Sequence, residues 1–276
     1  MKKTGLNRVI SDKYYTNQIV VEECMNIWKK YIKVSDNDLC IEPSAGNGSF
    51  ITNIKEIFIN YIFCDIEPEH EEILKLDYLQ FEIDDFEKNK YDKIHVLGNP
   101  PFGRQSSTAI KFIKKSTQYC DSISFILPRS FKKESFKKHF PKNFHLVFEK
   151  DLPDNSFIID NMKHDVPCVF QIWIKKNFER VIVEKIFPIK FKFVKKSDNH
   201  DISFRRVGVN AGEIDKNTIN KSFQSHYFIK FEMELDQELW NKLSNINFSE
   251  KDYTVGPRSI SKPELIKEFN IILNNI

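Results

Sequence analysis

The sequence predicts an α/β fold with a mostly parallel sheet over about the first 175 residues of the 276-residue chain. Short apolar segments typical of strands alternate with segments whose apolar residues recur at helical spacing, the order expected of such a sheet. Three polar or glycine-containing clusters, at 42–48, 65–68 and 98–103, directly follow predicted strands. Because α/β sheets bind ligands at the carboxyl ends of their strands, we expect the functional site at these clusters.

Each element is predicted from a local pattern. Strands are predicted where short apolar runs end in polar residues or proline, at 39–41, 60–64, 93–97, 122–127, 143–149 and 166–174. Helices are predicted where apolar residues recur at helical spacing, at 19–33, 49–57, 105–119 and 130–139. Beyond about residue 180 we expect a strand pair within 181–206 and short helices at 236–246 and 262–275. The sequence therefore predicts a main domain over 1–180 and a small C-terminal α+β appendage over 181–276.

Composition limits the class of protein. No run approaches the ~18–20 apolar residues of a membrane span, and the N-terminus lacks the apolar core of a signal peptide. We therefore expect a cytoplasmic protein, or a nuclear one in a eukaryotic cell, with no membrane partner. The five cysteines form no CxxC pair, which predicts reduced core residues and no metal site. Trp28, His95 and Trp173 lie in apolar segments and are also predicted to be core residues. The oligomeric state is left open.

The formal net charge is only +3, but the charges are unevenly distributed. Lysine and arginine are concentrated in 129–150 and 184–230, whereas the acids lie mostly in 65–87. Such basic segments are typical of a surface that binds a polyanion such as nucleic acid. A solvated lysine-rich face has the same composition and is the alternative.

Five basic residues are candidate nucleic-acid contacts. Lys132 and Lys133 follow the end of a predicted strand, where they can line a groove or simply be solvated. Arg104 directly follows the cluster at 98–103. Arg205 and Arg206 precede a glycine-flanked turn, where they can contact phosphates or cap the turn itself.

The first two polar clusters indicate a nucleoside-binding edge. Gly46 and Gly48 let the backbone turn tightly and approach a ligand, and Glu42 closes the preceding strand. The turn carries an acid and lacks a Gly-Lys-Ser/Thr ending, which weighs against phosphate binding. Asp65 ends the next strand about twenty residues on, the spacing expected of an acid that accepts hydrogen bonds from ribose hydroxyls. A purely structural turn is the alternative.

The third cluster, Asn99-Pro100-Pro101-Phe102, follows an apolar strand. Two consecutive prolines cannot continue a strand, so they fix a rigid loop with Asn99 held extended. The Asn99 amide oxygen and the Pro100 carbonyl then offer two acceptors beside the flat ring of Phe102, an arrangement suited to a planar base that bears an amino group. Holding both amino hydrogens makes the nitrogen lone pair more available to a methyl donor, so positioning and dipoles supply the catalysis. A rigid surface loop is the alternative.

Together these motifs resemble the class I methyltransferases that modify the amino group of adenine. The run 42–50, Glu-Pro-Ser-Ala-Gly-Asn-Gly-Ser-Phe, resembles the family's cofactor loop, and 99–102 matches its Asn/Asp-Pro-Pro-Tyr/Phe signature. Lys13-Tyr14-Tyr15-Thr16 resembles the N-terminal cofactor segment of the DNA enzymes, and Leu76-Asp77-Tyr78-Leu79 resembles the next acidic motif. The resemblance covers roughly 13–175 and implies a Rossmann-like class I methyltransferase sheet with helices on both faces.

The resemblance implies S-adenosylmethionine as the cofactor and methylation of the adenine N6 amino group in nucleic acid. Around the target base it implies the catalytic residues Asn99, Pro100, Pro101 and Phe102. Around the cofactor it implies Tyr15, Thr16, Glu42, Pro43, Ala45, Gly46, Gly48, Asp65, Ile66, Asp77, Tyr78 and Asn99. In the family the acid matched by Asp77 binds the amino group of the cofactor's own adenine.

The substrate is left open between DNA and RNA. The Tyr-Tyr-Thr segment favours DNA, and we expect DNA modestly over RNA. Only about a hundred residues follow the sheet, less than the large recognition region of sequence-specific DNA enzymes, which favours RNA or a loosely specific enzyme. Methylation of a protein glutamine and a catalytically silent nucleic-acid-binding subunit are further alternatives. Phe102 and the basic segments argue against the first, and the intact signature argues against the second.

Overall fold

The computed structural model describes residues 14–83, 88–182 and 184–274, so Lys13 of the predicted cofactor segment lies outside the described residues. This part of the chain separates into two compact units, one ending at Ile182 and the other comprising the residues after it. None of the helices described is long and apolar enough to cross a membrane.

The first unit is built on a seven-stranded mixed sheet. In chain order the strands of this unit are β1 (Tyr15–Thr16), β2 (Leu39–Glu42), β3 (Asn60–Asp65), β4 (Leu74–Lys75), β5 (Ile94–Gly98), β6 (Ser122–Pro128), β7 (Phe144–Asp151), β8 (Phe157–Ile159), β9 (Met162–His164) and β10 (Cys168–Lys175). The sheet order is β4-β3-β2-β5-β6-β10-β7, and β10 runs antiparallel to both of its neighbours while the other pairs are parallel. This is the strand order of the class I methyltransferase fold, so the predicted fold class is confirmed.

Helices cover both faces of this sheet. They are α1 (Gln18–Tyr31), α2 (Ile51–Lys55), α3 (Ser107–Ser116) and α4 (Glu134–Lys137). The indole N–H of Trp28 in α1 donates to Ser124 Oγ at 2.9 Å. Ile113 of α3 instead belongs to the core cluster that contains Ile123 and Phe125. Because consecutive side chains of a strand point to opposite faces, α1 and α3 lie on opposite sides of the sheet.

The residues predicted to be in the core are buried. Trp28 and Trp173 are fully enclosed, as are the five cysteines Cys24, Cys40, Cys64, Cys120 and Cys168. His95 forms hydrogen bonds with Asp38 Oδ2 at 3.2 Å and with Ser122 Oγ at 2.7 Å. Burial lowers the pKa of His95, although the Asp38 carboxylate opposes this shift. His95 is therefore a neutral core histidine.

A three-stranded sheet, β1-β8-β9, ties the start of the described chain to the region after β7. Tyr15 and Thr16 of β1 pair antiparallel with β8, with Thr16 opposite Phe157. Asn17 then begins α1, because its side-chain oxygen accepts a hydrogen bond from the amide of Ile19 at 3.1 Å. The sequence did not predict this sheet, which determines where Tyr15 and Thr16 lie.

The helix predicted over 130–139 is wrong as a continuous element. The chain forms a 3₁₀ turn over Arg129–Lys132 and then the four-residue helix α4. Lys133 separates them because its backbone is extended, at φ −76° and ψ 140°, and its side chain is buried. Similarly, the helix expected over 49–57 is reduced to α2.

The second unit is a four-stranded antiparallel sheet with two helices. Its elements are β11 (Phe191–Val194), β12 (Ile202–Arg205), β13 (Ile214–Asp215), β14 (His226–Phe231), α5 (Gln237–Ser244) and α6 (Lys262–Leu273). The sheet order is β11-β14-β12-β13. Ser261 and Glu264 form a capping box at the start of α6, which satisfies amide groups of its first turn. Both predicted helices of this region are confirmed.

The strand pair predicted within 181–206 is wrong in its pairing. Both strands exist, but β14 lies between them, with Ile229 facing Phe193 on one side and Ile202 on the other. The apolar side chains of the three strands pack on one core with Phe269 of α6. A hairpin between β11 and β12 would leave this apolar strand without its two partners.

Candidate active site

The three predicted clusters border one cavity of about 590 Å³ in the first unit. It lies where β2, β3 and β5 end, as expected for an α/β sheet. The predicted residues that border it are Tyr15, Thr16, Glu42, Pro43, Ala45, Gly46, Asp65, Ile66, Asp77, Tyr78, Asn99, Pro100, Pro101 and Phe102. Gly48 does not border it: a Cβ there would meet Ile51 and His70, so this glycine serves the turn itself.

The glycine turn is held by the neighbouring strand and covered by the N-terminal strand. Gly46 has a φ of +54°, and its amide donates to Asp65 Oδ2 at 2.8 Å. A Cβ on Gly46 would lie 3.0 Å from the ring of Tyr15. The Tyr15 hydroxyl donates in turn to Glu69 Oε1. Gly46 is therefore required both by the backbone conformation and by the close approach of the Tyr15 ring.

Asp65 organises the loop through both of its carboxylate oxygens. Oδ2 accepts from the Gly46 amide, and Oδ1 accepts from the Glu67 amide at 2.9 Å. A carboxylate oxygen has more than one lone pair, so hydroxyl groups of a ligand can still be accepted at this edge.

Glu42 is a buried carboxyl group, only 2% exposed, at the end of β2. Its Oε2 has no hydrogen-bond partner among the described residues. Gly98 approaches so closely that a Cβ there would lie 3.2 Å from Glu42 Cγ. Burial, with a further contribution from the charge of Asp65, raises the pKa of Glu42 to about 8. A cationic donor in the cavity would both satisfy Oε2 and favour its ionised form.

Asn99 is fixed in one orientation by the N-terminal strand. Its Nδ2 donates to the Tyr14 carbonyl at 3.0 Å and to Thr16 Oγ1 at 3.3 Å. The backbone carbonyl of Asn99 accepts a hydrogen bond from Ser44 Oγ at 3.1 Å. Because a carbonyl can only accept, the atom facing Tyr14 must be the amino group of the amide. Asn99 Oδ1 is consequently a buried acceptor, and within the described ranges nothing donates to it.

The loop after Asn99 is anchored to the start of α3. The Phe102 carbonyl accepts hydrogen bonds from the amides of Thr108 at 3.2 Å and Ala109 at 3.3 Å. Gly103 follows with a φ of +68°, and a Cβ there would collide with Thr108. Phe102 is half-buried and borders the cavity.

The motif Leu76-Asp77-Tyr78-Leu79 contributes one acidic side chain, Asp77, and one aromatic side chain, Tyr78, to the cavity wall. Asp77 Oδ1 accepts from the Leu79 amide at 2.9 Å. Tyr78 is fully buried, and its hydroxyl shares hydrogen bonds with Ser116 Oγ at 2.7 Å and with the Tyr119 hydroxyl. Burial raises the pKa of Tyr78 well above its ordinary value. Tyr78 therefore offers the cavity a ring, since its hydroxyl is engaged elsewhere.

The basic residues proposed as nucleic-acid contacts differ in burial and in their ion pairs. Lys133 is buried, which corrects its expected place in a surface groove: the extended backbone between the 3₁₀ turn and α4 turns its side chain inward. Lys132 Nζ lies 2.7 Å from Asp151 Oδ2. Arg104 is exposed at the start of the 3₁₀ turn Arg104–Ser106.

Arg205 supports its own turn, whereas Arg206 contacts Gln224 and Tyr227 at the start of β14. Arg205 Nε donates to the Val207 carbonyl at 2.8 Å. Arg206 Nε donates to the Gln224 carbonyl at 3.1 Å, and its guanidinium lies 5.4 Å from the centre of the Tyr227 ring. Of the two alternatives left open by the sequence, the contact of Arg205 favours the cap of its own turn.

Sequence reasoning missed the role of Tyr14, whose backbone carbonyl holds the Asn99 amide. It also missed Ser44 and Glu67, which border the cavity beside predicted residues. Ser44 lies inside the glycine motif and could have been included on that ground. The Tyr14 carbonyl gives no sequence signal, because every residue carries one.

No family profile matches the chain, and no curated protein matches its sequence. Among solved structures, the chain is similar to a candidate RNA methyltransferase from Pyrococcus horikoshii at 14% identity and a TM-score of 0.46, over 63% of this chain and 93% of that one. It is also similar to a candidate class I S-adenosylmethionine-dependent methyltransferase from Listeria monocytogenes, at 15% identity and a TM-score of 0.46, over 65% of this chain and 66% of that one.

A third similar structure is the methyltransferase subunit of a type I restriction-modification system from Streptococcus thermophilus. The identity is 17% and the TM-score 0.45, over 60% of this chain and 45% of that one. At such identities and TM-scores, these likenesses do not define an activity or a substrate for this chain.

Proposed function

We propose that the chain binds S-adenosylmethionine and transfers its methyl group to the N6 amino group of adenine in nucleic acid, with DNA favoured over RNA. The observation that carries the proposal is the Asn99 amide. Two acceptors fix its Nδ2, and its buried Oδ1 has no partner in the part of the chain that is described. A buried acceptor without a donor is unfavourable, so an amino group that donates to it would gain a strong hydrogen bond.

The cavity fits the proposed cofactor by the chemistry of its groups. Asp65 would accept hydrogen bonds from ribose hydroxyls, and Glu42, with its unpartnered Oε2, would hold an ammonium group. The Gly46 turn leaves room for close approach of a ligand to the backbone. A volume of about 590 Å³ lies within the range of small-molecule sites. When bound, S-adenosylmethionine supplies an electrophilic methyl group on a positively charged sulfur.

The residues of the loop would act on the base by positioning. Asn99 Oδ1 and the Pro100 carbonyl would accept the two N6 hydrogens, and the Phe102 ring would stack on the base. With both hydrogens held by these acceptors, the N6 lone pair would be available to the methyl group that the cofactor supplies, and one N6 proton would leave to solvent. Because that proton can leave after transfer, no strong general base is needed, and fixed acceptors supply the stabilisation.

RNA is the second candidate substrate. RNA presents the same adenine N6 amino group, so Asn99 Oδ1 would serve as its acceptor in either nucleic acid. A protein glutamine would present a similar amino group to Asn99, so it is included as an arm of the test.

The test is a transfer assay with radiolabelled S-adenosylmethionine on duplex DNA, single-stranded DNA, total RNA and a protein pool, followed by mass spectrometry of the nucleosides. We expect N6-methyldeoxyadenosine in a DNA arm. N6-methyladenosine in the RNA arm alone would move the substrate to RNA. Label in protein alone, or no label together with no cofactor binding by calorimetry, would overturn the proposal. Asn241→Ala, on the exposed face of α5, is a matched control for variants of Asn99.

A further inference from the structure

The second unit carries a groove of about 370 Å³ where β11 ends and β14 begins. Aromatic rings and lysines border it, and no acidic residue of the described chain does. None of its residues belongs to the motifs that carry the proposed function.

The aromatic part of the groove combines a fixed pair with an exposed ring. Phe193 on β11 and Tyr227 on β14 meet edge to face, with ring centres 5.5 Å apart, and both are only partly buried. Phe223, on the turn before β14, is 71% exposed. Phe223 is thus the exposed ring on which a base can stack, while Phe193 and Tyr227, whose ring planes are 77° apart, border the groove beside it.

The charged part of the groove lies directly beside these rings. Lys262 Nζ is 4.5 Å from the centre of the Phe193 ring and 5.7 Å from that of Tyr227. Lys195 and Lys196 border the other side, and Lys196 Nζ donates to a backbone carbonyl. Within the described residues no carboxylate forms an ion pair with any of the three lysines. Their charges are therefore available to an anion.

We propose that this groove binds single-stranded nucleic acid, with an unpaired base stacked on the aromatic surface and the flanking phosphates beside the lysines. A ligand with a flat apolar part next to negative charge matches both halves of the groove, and bases reach aromatic rings in this way only when they are unpaired. This inference rests on the proposed function, because the nucleic acid bound in the groove would be the substrate of the first unit.

Fluorescence anisotropy of the full chain with labelled 15-nucleotide strands tests this proposal without requiring activity. The probes are oligothymidylate, oligouridylate and an abasic strand of the same length and charge. We expect the abasic strand to bind about tenfold more weakly than oligothymidylate, because it has nothing to stack. The uridylate arm distinguishes RNA from DNA as the preferred strand.

Two variants separate stacking from charge. Phe223→Ala should weaken binding of oligothymidylate roughly fivefold to tenfold and leave the abasic strand unaffected. Lys262→Gln should weaken binding of both strands and lower the slope of log K against log salt by about 0.7, the value for one phosphate contact on a single strand. The matched controls are Phe187→Ala and Lys267→Gln, two exposed residues of the same unit outside the groove.

The outcomes are distinguishable from those of the transfer assay. If the abasic strand binds as tightly as oligothymidylate, or if the controls weaken binding as much as the groove variants, the groove is not a base-stacking site. If Phe223→Ala and Lys262→Gln transfer methyl groups with an unchanged KM for nucleic acid, the groove is not a substrate-binding site, but the proposed function is left intact. Groove-dependent binding without methyl transfer would support the groove and reject the activity.

Discussion

The side-chain amide of Asn99 donates a hydrogen bond to the backbone carbonyl of Tyr14 at 3.0 Å, although the two residues are 85 positions apart in the chain. This contact fixes the orientation of the amide and leaves Oδ1 as its end without a partner among the described residues. It makes the N-terminal strand a part of the catalytic geometry that the proposed reaction needs.

Asn99→Ala should reduce methyl transfer by about a hundredfold or more, since it removes an acceptor from the reacting amino group. Cofactor affinity should change little, because Asp65 and Glu42 remain in place. Steady-state transfer rates and calorimetric titration of S-adenosylmethionine measure the two effects. Wild-type turnover in this variant, with Asn241→Ala as reference, would show that the loop has been misassigned.

Thr16→Val should lower kcat roughly fivefold by removing one of the two acceptors that orient the Asn99 amide, a loss of about 1 kcal/mol. The dissociation constant of the cofactor should be less affected than kcat. Thr16→Ser, which retains the hydroxyl, should restore the rate. Thr117→Val, at the partly buried C-terminal cap of α3, is the control, and an equal loss there would indicate a general effect on stability.

Gly46→Ala should weaken S-adenosylmethionine binding by about tenfold, corresponding to the 1–2 kcal/mol cost of a side chain at positive φ. The added Cβ would also press on the ring of Tyr15. Gly256→Ala provides the comparison, because a Cβ there meets only Thr254 Oγ1 at 4.0 Å and the backbone is not left-handed. Equal affinity of the two variants for the cofactor would contradict the role of the turn.

Cofactor binding at pH 7 should release about one proton from Glu42. Its pKa of about 8 means that the free protein holds this carboxyl mostly protonated, whereas an ammonium partner would require the ionised form. Calorimetry in buffers of different ionisation enthalpy counts the released proton, and Glu42→Gln should release none. Proton release that is the same in both proteins would remove Glu42 from the ammonium site.

The raised pKa of Glu42 also determines how the free energy of unfolding of the ligand-free protein changes with pH. Because the folded pKa is raised above the ordinary value of 4.5, the native state binds more protons than the unfolded state between about pH 4.5 and 8. The stability contributed by protonated Glu42 is therefore lost as the pH rises through that window. Urea unfolding of wild type and Glu42→Gln should diverge over this range, with the variant less sensitive to pH.

The parts of the site that depend on neighbouring residues were predictable. Gly46 and the Asn99-Pro100-Pro101-Phe102 loop follow from turn chemistry and from the end of an apolar strand, both written in consecutive residues. The alternation of helices and strands predicted the mostly parallel sheet, but not the order of its strands.

The parts that depend on distant packing were not predictable. Nothing near β11 or β12 in sequence indicates that β14 separates them, since cross-strand pairing is decided by the whole apolar face. Lys133 resembles a solvated lysine until the break before α4 turns it inward. The pairing of β1 with β8 joins segments that no short motif connects.

The short strand β1 and Tyr14, the residue before it, contact both halves of the cavity: the ring of Tyr15 lies over Gly46, while Tyr14 and Thr16 hold Asn99. Under the proposed function, one half receives the methyl donor and the other the acceptor base. A ligand that displaced this segment from one half of the cavity would therefore also disturb the other half. Any such coupling between the two binding affinities is reciprocal, because the effect of the donor on the base equals the effect of the base on the donor.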